Sequence, residues 1–346
     1  MNKIIIDTAG GDRPDLLIKG AVEAAKMHPD YKIVLVGDAT TVKQHIGLAA
    51  PNIEIVHAPD VITNDDVPTQ AIRHKPDSSL IKSFSLLKDD EDAVGMFSAG
   101  STGAVLTGAT LLIGRIHGVH RPVLASLMPT AVDGKLVCIA DSGANIDSKP
   151  EFMAQFALMS SVYMKAAFDI PSPAVGLLSV GTEEKKGDER TRAAYALIKN
   201  LPINFLGNME ARDTLTGKYD IIVCDGFSGN VLIKSTEGTA KMVMGKVKQA
   251  VKSSLRSKIG ALFLKKALYS LKSSMDYHSY GGAPFLGVKK LVVKGHGSTN
   301  EVSIIASINR IISLHEHNVL GEIKTTIGEY ADSVKAQAEN SGSDGE

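Results

Sequence analysis

Cysteine is nearly absent from this 346-residue chain. The two that occur, Cys138 and Cys224, stand far apart at the ends of apolar runs, without metal-site or redox-pair spacing. They read as buried thiols in a reducing cytosol. Net charge is also lacking: 38 basic residues balance 38 acidic ones, which argues against a nucleic-acid protein held by overall charge. No apolar run approaches the roughly 18 residues of a membrane span. The opening Met-Asn-Lys-Ile-Ile-Ile-Asp turns polar too quickly for a secretory leader and reads as a first strand. No Gly-x-Gly-x-x-Gly follows that strand, and no glycine turn ends in Gly-Lys-Ser/Thr. Neither a dinucleotide fold nor a P-loop is therefore indicated. His-Glu-x-x-His and Cys-x-x-Cys are missing too, so no metal is expected.

What the chain does have is glycine, 32 residues of it, placed where apolar runs end. The organising stretch is Ala93 to Arg115. A short apolar run meets Ser98-Ala99-Gly100-Ser101-Thr102-Gly103, and Val105, Leu106, Ala109, Leu112 and Ile113 then recur at helical spacing. Strand, glycine turn and helix start together aim backbone N–H groups at an anion. The device repeats. Apolar strands run into polar glycine turns at Asp7 (with Gly10 and Gly11), Ser98, Asp141 (with Gly143 and Asn145), Gly181, Asp225 (with Gly226, Ser228, Gly229 and Asn230) and Gly295.

Helical periods fill the intervals, around Val67–Arg73 and Ser78–Leu87, from Pro150 to about Phe168, and to about Lys199. Val123–Met128 and Leu136–Ala140 read as a hairpin-like pair. The alternation predicts one α/β domain over residues 1–339, a mostly parallel sheet with helices on both faces. Its six turns gather on one rim, where open α/β sheets bind ligands. A disordered tail is expected over 340–346. The rim, rich in amides and small hydroxyls, suits a phosphate-sized anion.

Three side chains stand out on these turns. Lys186, after the Val175–Val180 strand, is a candidate phosphate ligand. Asn230 either caps the following helix or presents its amide to an oxyanion; spacing leaves both open. His296 is a candidate proton-handling group. Ser101, Asp225 and His296 follow in the chain order of an α/β-hydrolase triad, a loose match whose elbow begins with alanine.

The blocks that carry chemistry resemble one family along almost the whole chain, Lys3 to about Asn309. They are Ile6-Asp7 with Gly10-Gly11-Asp12, Ser98-Ala99-Gly100 with Thr102-Gly103, Gly114-Arg115-Ile116 with Arg121-Pro122, and Gly143-Ala144-Asn145 with Lys149-Pro150-Glu151. Lys186-Gly187, Asp225-Gly226-Phe227 with Gly229-Asn230, Tyr280-Gly281-Gly282-Ala283-Pro284 and His296-Gly297-Ser298 complete the set. Together they resemble the PlsX phosphate acyltransferases. Departures are small: Thr8-Ala9 where Ala-Met is expected, Ser101 where asparagine is usual, and Asp141-Ser142 where Asp-Val is common.

The resemblance implies a fold like that of the isocitrate and isopropylmalate dehydrogenases, a homodimer, and no cofactor. It also implies transfer of a long-chain acyl group from acyl carrier protein to inorganic phosphate, with acyl-phosphate as product. Phosphotransacetylases, using acyl-CoA, share this style of chemistry. A non-catalytic module sensing phosphate or acyl-phosphate is the alternative of another class.

Thr239 to Met275 stands apart, since it is lysine-rich and contains no acidic residue. It reads as a contact surface for something anionic. Within it, Ser253–Ser274 is expected to form two short helices broken near Gly260. Ile259, Leu262, Phe263 and Leu264 make an apolar tip flanked by lysines, among them Lys258, Lys265 and Lys266. Peripheral contact with an anionic membrane, docking of carrier protein and packing on a dimer partner are the readings it supports. A membrane enzyme that consumes the product is a plausible further partner.

Overall fold

The computed structural model of the protein describes residues 1–47, 50–268 and 280–343, with side chains as far as residue 336. Strands β1 (Lys3–Asp7), β2 (Lys32–Gly37), β3 (Ile53–His57) and β4 (Ala93–Ser98) alternate with α1 (Pro14–Met27), α2 (Ala39–His45), α3 (Pro68–His74) and α4 (Ser79–Asp89). α5 (Thr102–Gly108) follows β4 and runs into a π turn, Ala109–Ile113. The Val123–Met128 run, expected as one strand, divides at Ala125. Its first part is β5 (Val123–Leu124) and its second β6 (Ser126–Pro129), and they lie in different sheets.

β7 (Leu136–Ala140), α6 (Pro150–Phe168), β8 (Val175–Ser179), α7 (Glu189–Ile198), β9 (Phe205–Glu210) and β10 (Ile221–Val223) follow. α8 (Gly226–Lys252) and α9 (Leu255–Phe263) then leave the body as an arm. β11 (Ala283–Leu286) and β12 (Leu291–Lys294) return to it, and α10 (Glu301–Glu316) and α11 (Val319–Ser343) complete the described chain.

The predicted single sheet is in fact two. Seven strands form one sheet, in the order β3-β2-β1-β4-β12-β11-β5, and five form the other, β6-β7-β10-β8-β9. Within each, the central strands are parallel and one end is antiparallel: β11 against β12 and β5, and β6 against β7. The expected α/β class therefore holds, with the six turns split three and three. Two strands are absent from the sequence reading. Gly207, at a φ of 93°, interrupts the β9 pattern, and Pro284 disguises β11, which tolerates it near the antiparallel end.

One apolar core serves both sheets. Ile4, Ile6 and Val293 of the larger sheet and Cys138, Val175 and Ile221 of the smaller join it, together with Leu17 of α1, Phe156 of α6, Ile308 of α10 and Ile323 of α11. Ile5, Val34, Met96 and Phe84 pack the larger sheet's other face, and Val137, Ile139, Tyr219 and Ile222 that of the smaller. Sharing one core fixes the two rims relative to each other.

The arm differs from this body. From Asn230 to Leu268 no residue is buried. The helix break falls at Leu264 rather than near Gly260, which sits inside α9. Residues 269–275 of the basic segment lie outside the described residues. At the other end, α11 runs to Ser343, so 340–343 of the expected tail is helical, and 344–346 lie outside the described residues.

Candidate active site

The larger sheet brings three turns together because β1, β4 and β12 are parallel neighbours with Asp7, Ser98 and Lys294 in register. Asp7 is buried there and accepts hydrogen bonds from the hydroxyls of Ser79 and Ser98, both at 2.6 Å. Burial pushes its carboxyl above the usual range, against those donors. Ser98 Oγ in turn accepts from the Gly100 amide at 3.1 Å. Gly10 has to be glycine: a Cβ there would stand 2.6 Å from Asp7 Oδ2 and 2.7 Å from Gly100 N. Gly11 packs on Ala99, and the Asp12 amide donates to Gly297 O at 3.0 Å, which ties the first turn to the last. Ser101 occupies the N-cap position of α5 without capping it, and Thr102 and Gly103 open that helix, Gly103 against Pro68.

In the smaller sheet β7, β10 and β8 are parallel neighbours, so their turns share an edge. Asp141 is buried and accepts from the amides of Gly143, Ala144 and Asn145 and from Asn145 Nδ2, at 2.6–3.1 Å. Those amides are spent on Asp141 and are not aimed outward. The second Nδ2 hydrogen bond of Asn145 goes to Pro122 O. α8 begins at Gly226 and not beyond Asn230, because Asp225 is its N-cap and accepts from Ser228 N at 2.7 Å. Gly226 N donates to Asn145 O. Gly229 presses α8 onto the Asp141 turn so closely that a Cβ would fall 1.9 Å from Asp141 O. Asn230 therefore does not cap the helix. It lies exposed in the second turn of α8, with its Cβ over Gly143, and its amide has no hydrogen-bond partner among the described residues.

Lys186 is exposed on the β8–α7 loop, its stem beside Gly181 and its ammonium unpaired among the described residues. The structure shows no contact from it to Asn230 or His296. Arg190, four residues on, reaches instead to Asp225, with Nη2 2.6 Å from Oδ2, and also to Asp147 at 3.6 Å.

The rims meet through α8. Lys234 Nζ lies 3.3 Å from His296 Nε2, and His296 Nδ1 lies 2.7 Å from Ser298 Oγ. Asn230 and Lys234 are four residues apart, hence on one face of the helix with Cβ atoms about 5–6 Å apart. Beside them Lys294, at the end of β12, is mostly enclosed, and its ammonium donates to Gly295 O. Burial, and then the charge of Lys234, lower its pKa from 10.5 to about 8 against the opposing pull of Asp12. The hydrolase triad is not assembled: Asp225 is held by Arg190 and its cap, and His296 faces Ser298 and Lys234. Both thiols are buried, and burial pushes Cys138 up to about 12 and Cys224 well above its ordinary value.

Arg190, Lys234 and Lys294 escaped the sequence reading. Arg190 is one charge in a charged run, Lys234 one polar residue on a helix, and Lys294 a strand end. The one available signal was position, Lys294 standing two residues before His296.

Comparison with known proteins gives consistent results. Residues 2–321 match a family model described as fatty acid synthesis protein. A phosphate acyltransferase of Clostridium acetobutylicum is 43% identical over 330 residues, 94% of this chain and 99% of that one. A phosphate acyltransferase of Brevibacillus brevis is 43% identical over 335 residues, with the same shares covered. Among solved structures, a phosphotransacetylase from Streptococcus pyogenes has the same fold, with a TM-score of 0.59 at 17% identity over 91% of this chain and 94% of that one. A branched-chain phosphotransacylase from Enterococcus faecalis aligns with a TM-score of 0.57 at 15% identity over 92% and 100%.

Proposed function

Because the chain belongs to the family of fatty acid synthesis proteins that includes the phosphate acyltransferases, we propose that it moves a long-chain acyl group from acyl carrier protein to inorganic phosphate. The observation that carries this reading is the junction of the rims, where Lys234, one turn of α8 from Asn230, meets His296 beside Lys294, while Asp225, the acid a hydrolase triad would need, is held by Arg190. Such a site positions and stabilises reactants and needs no covalent intermediate.

The chemistry asks for little more. Hydrogen phosphate is the nucleophile; its oxygen forms the C–O bond as the thioester C–S bond breaks. The proton it carried ends on the departing thiol, whose pKa of roughly 8.5 makes it a good leaving group. Positioning and fixed dipoles supply most of such a barrier reduction. Asn230 donates its side-chain N–H to the carbonyl oxygen as negative charge develops there. Lys186 supplies a cation for the phosphate from the smaller sheet's edge. His296, within reach of Lys234 and Ser298, handles the proton. The turns at Asp7, Ser98–Gly103, Asn145 and Asp225–Gly229 keep the rim's shape and leave room for the anion.

The arm supports two further parts of the reading. α8, α9 and the break after it expose Met242, Val243, Leu255, Ile259, Leu262, Phe263 and Leu264 beside many lysines. Part of that face pairs with a second copy, giving a homodimer. The tip touches anionic membrane, so the enzyme works in the cytoplasm, peripherally associated, and hands acyl-phosphate to a membrane acyltransferase.

Measuring acyl-phosphate formation with acyl carrier protein against coenzyme A as donor tests the assignment. Product from the carrier thioester alone supports it. Product from the coenzyme A thioester alone makes the protein a phosphotransacetylase-like enzyme, and product from neither leaves an anion-binding module.

A further inference from the structure

The larger sheet's rim ends in two lysines, Lys294 and Lys234, whose charges no contact among the described residues neutralises fully. Lys294 closes β12 next to β4, mostly enclosed, so its ammonium has given up most of its water for one carbonyl partner, Gly295 O. Lys234 reaches the same place from α8 and lies 3.3 Å from His296 Nε2. Removing water from one cation beside another is costly unless an anion shares the space. Among the described residues the facing groups are few. Asp12, on the loop between β1 and α1, is the carboxylate whose charge Lys294 feels. Glu237, three residues on along the same face of α8, pairs with Lys234 at 3.3 Å and offsets part of its charge, leaving Lys294 without a carboxylate in contact among the described residues. His296 and Ser298 belong to the loop after β12.

We propose that Lys294 and Lys234, with His296, hold the phosphate nucleophile, one helical turn from the acyl carbonyl at Asn230. This rests on the acyltransferase reading above and names the residues that seat its second substrate. Three points favour it. A doubly charged anion lifts the mutual repulsion of two ammonium groups that a neutral ligand would leave in place. A bound dianion also draws Lys294 back towards its ordinary, protonated state, so binding and protonation reinforce each other. The spacing on α8 puts nucleophile and carbonyl in adjacent positions, the arrangement that turns a bimolecular attack into a local one.

Lys294→Met and Lys234→Met test the proposal. Each is expected to raise the KM for phosphate at least ~10-fold, with the KM for the acyl donor unchanged, and Lys294→Arg is expected to restore most of the phosphate KM. Calorimetric titration of inorganic phosphate into the enzyme without acyl donor should show binding in wild type and loss in both methionine variants. An unchanged phosphate KM in folded methionine variants, or a fall in kcat with both KM values unchanged, overturns the proposal. If wild type forms no acyl-phosphate from any donor, the acyltransferase reading fails instead. The titration then decides the phosphate seat by itself: loss of heat in the variants keeps it, and equal heats remove it.

Discussion

Arg190 and Asp225 are joined by a 2.6 Å ion pair that links the first turn of α7 to the N-cap of α8. The two elements carry different parts of the proposed site, since Lys186 precedes α7 and Asn230 and Lys234 ride on α8. The pair therefore sets the Lys186 loop against the helix that bears Asn230. Asp225 is buried, whereas about a third of the arginine side chain meets solvent. Losing the partner leaves a buried carboxylate with only its cap hydrogen bond. Arg190→Ala is expected to cost about 2 kcal/mol, below the 3–5 kcal/mol of a fully buried pair. Urea unfolding measures it, and a loss under about 0.5 kcal/mol would make the contact incidental.

Asn230 and Lys186 differ in what they should do to the rate. Asn230→Ala removes the proposed oxyanion donor and should lower kcat at least ~10²-fold. Lys186→Ala should lose as much in kcat/KM through phosphate. Both side chains are exposed and unpaired among the described residues, so circular dichroism and the melting temperature should stay at wild type. Near-normal turnover in both variants would remove them from the mechanism. A normal His296→Ala enzyme would reduce that residue to a strut for Lys234.

How far the sequence discloses this site follows from the range of the interactions that build it. Asp7, Ser98 and Asp225 are legible because a local rule makes them so: an apolar run must end, and a small polar residue with glycine ends it. The class of fold follows from the same alternation. The division into two sheets does not, because β5 and β6 are one apolar run, and only distant partners, β11 for Leu124 and β7 for Leu127, pull it apart at Ala125. Lys294 and Arg190 are likewise ordinary charges until β4, α8 and Asp225 are brought beside them. Asn230 sits between these cases. Its place after a glycine was legible, yet the reading as a cap fails because Asp225, five residues earlier, already starts the helix.

Lys294 should leave a mark on stability as well as on phosphate binding. Its pKa is lowered from 10.5 to about 8, so the folded protein holds fewer protons at this group than the unfolded chain between those values. Stability from this residue therefore rises with pH across about 8 to 10.5, and the burial cost is fully present below 8. Lys294→Met, without phosphate, should be more stable than wild type at pH 7, by up to about 3 kcal/mol. The difference should shrink as pH passes 8. Thermal melts at pH 7, 8.5 and 10 in a phosphate-free buffer measure it, and a difference that does not vary with pH would contradict the burial argument.

No acyl-serine is expected at Ser101. Asp225 and His296, the partners a serine nucleophile would need, are held by Arg190, Ser298 and Lys234. Mass spectrometry after mixing with a carrier-protein thioester, phosphate withheld, should find no acylated peptide containing Ser101. Its presence would replace direct attack by phosphate with a two-step route.

The tip of the arm gives the last expectation. Leu262 and Phe263 are 71% and 87% exposed, an arrangement in which two large apolar side chains do nothing for the fold. Lys258, Lys265 and Lys266 flank them. Such a tip can sink into the headgroup boundary while each lysine near the surface adds about 1 kcal/mol of attraction to anionic lipid. A dimer carrying two tips would bind more firmly than either alone, since the second engages at a high effective concentration. The charge reversal Leu262→Glu/Phe263→Glu removes the apolar contact and opposes the lipid charge without touching the body. Wild type should float with liposomes containing anionic lipid, and far less with neutral ones. The double variant should stay at the bottom of the gradient while making acyl-phosphate at the normal rate. Flotation that survives the double substitution would assign the tip to the dimer partner or to carrier protein instead. Flotation and synthesis lost together would mean that the arm also shapes the site, through the helix that bears Asn230.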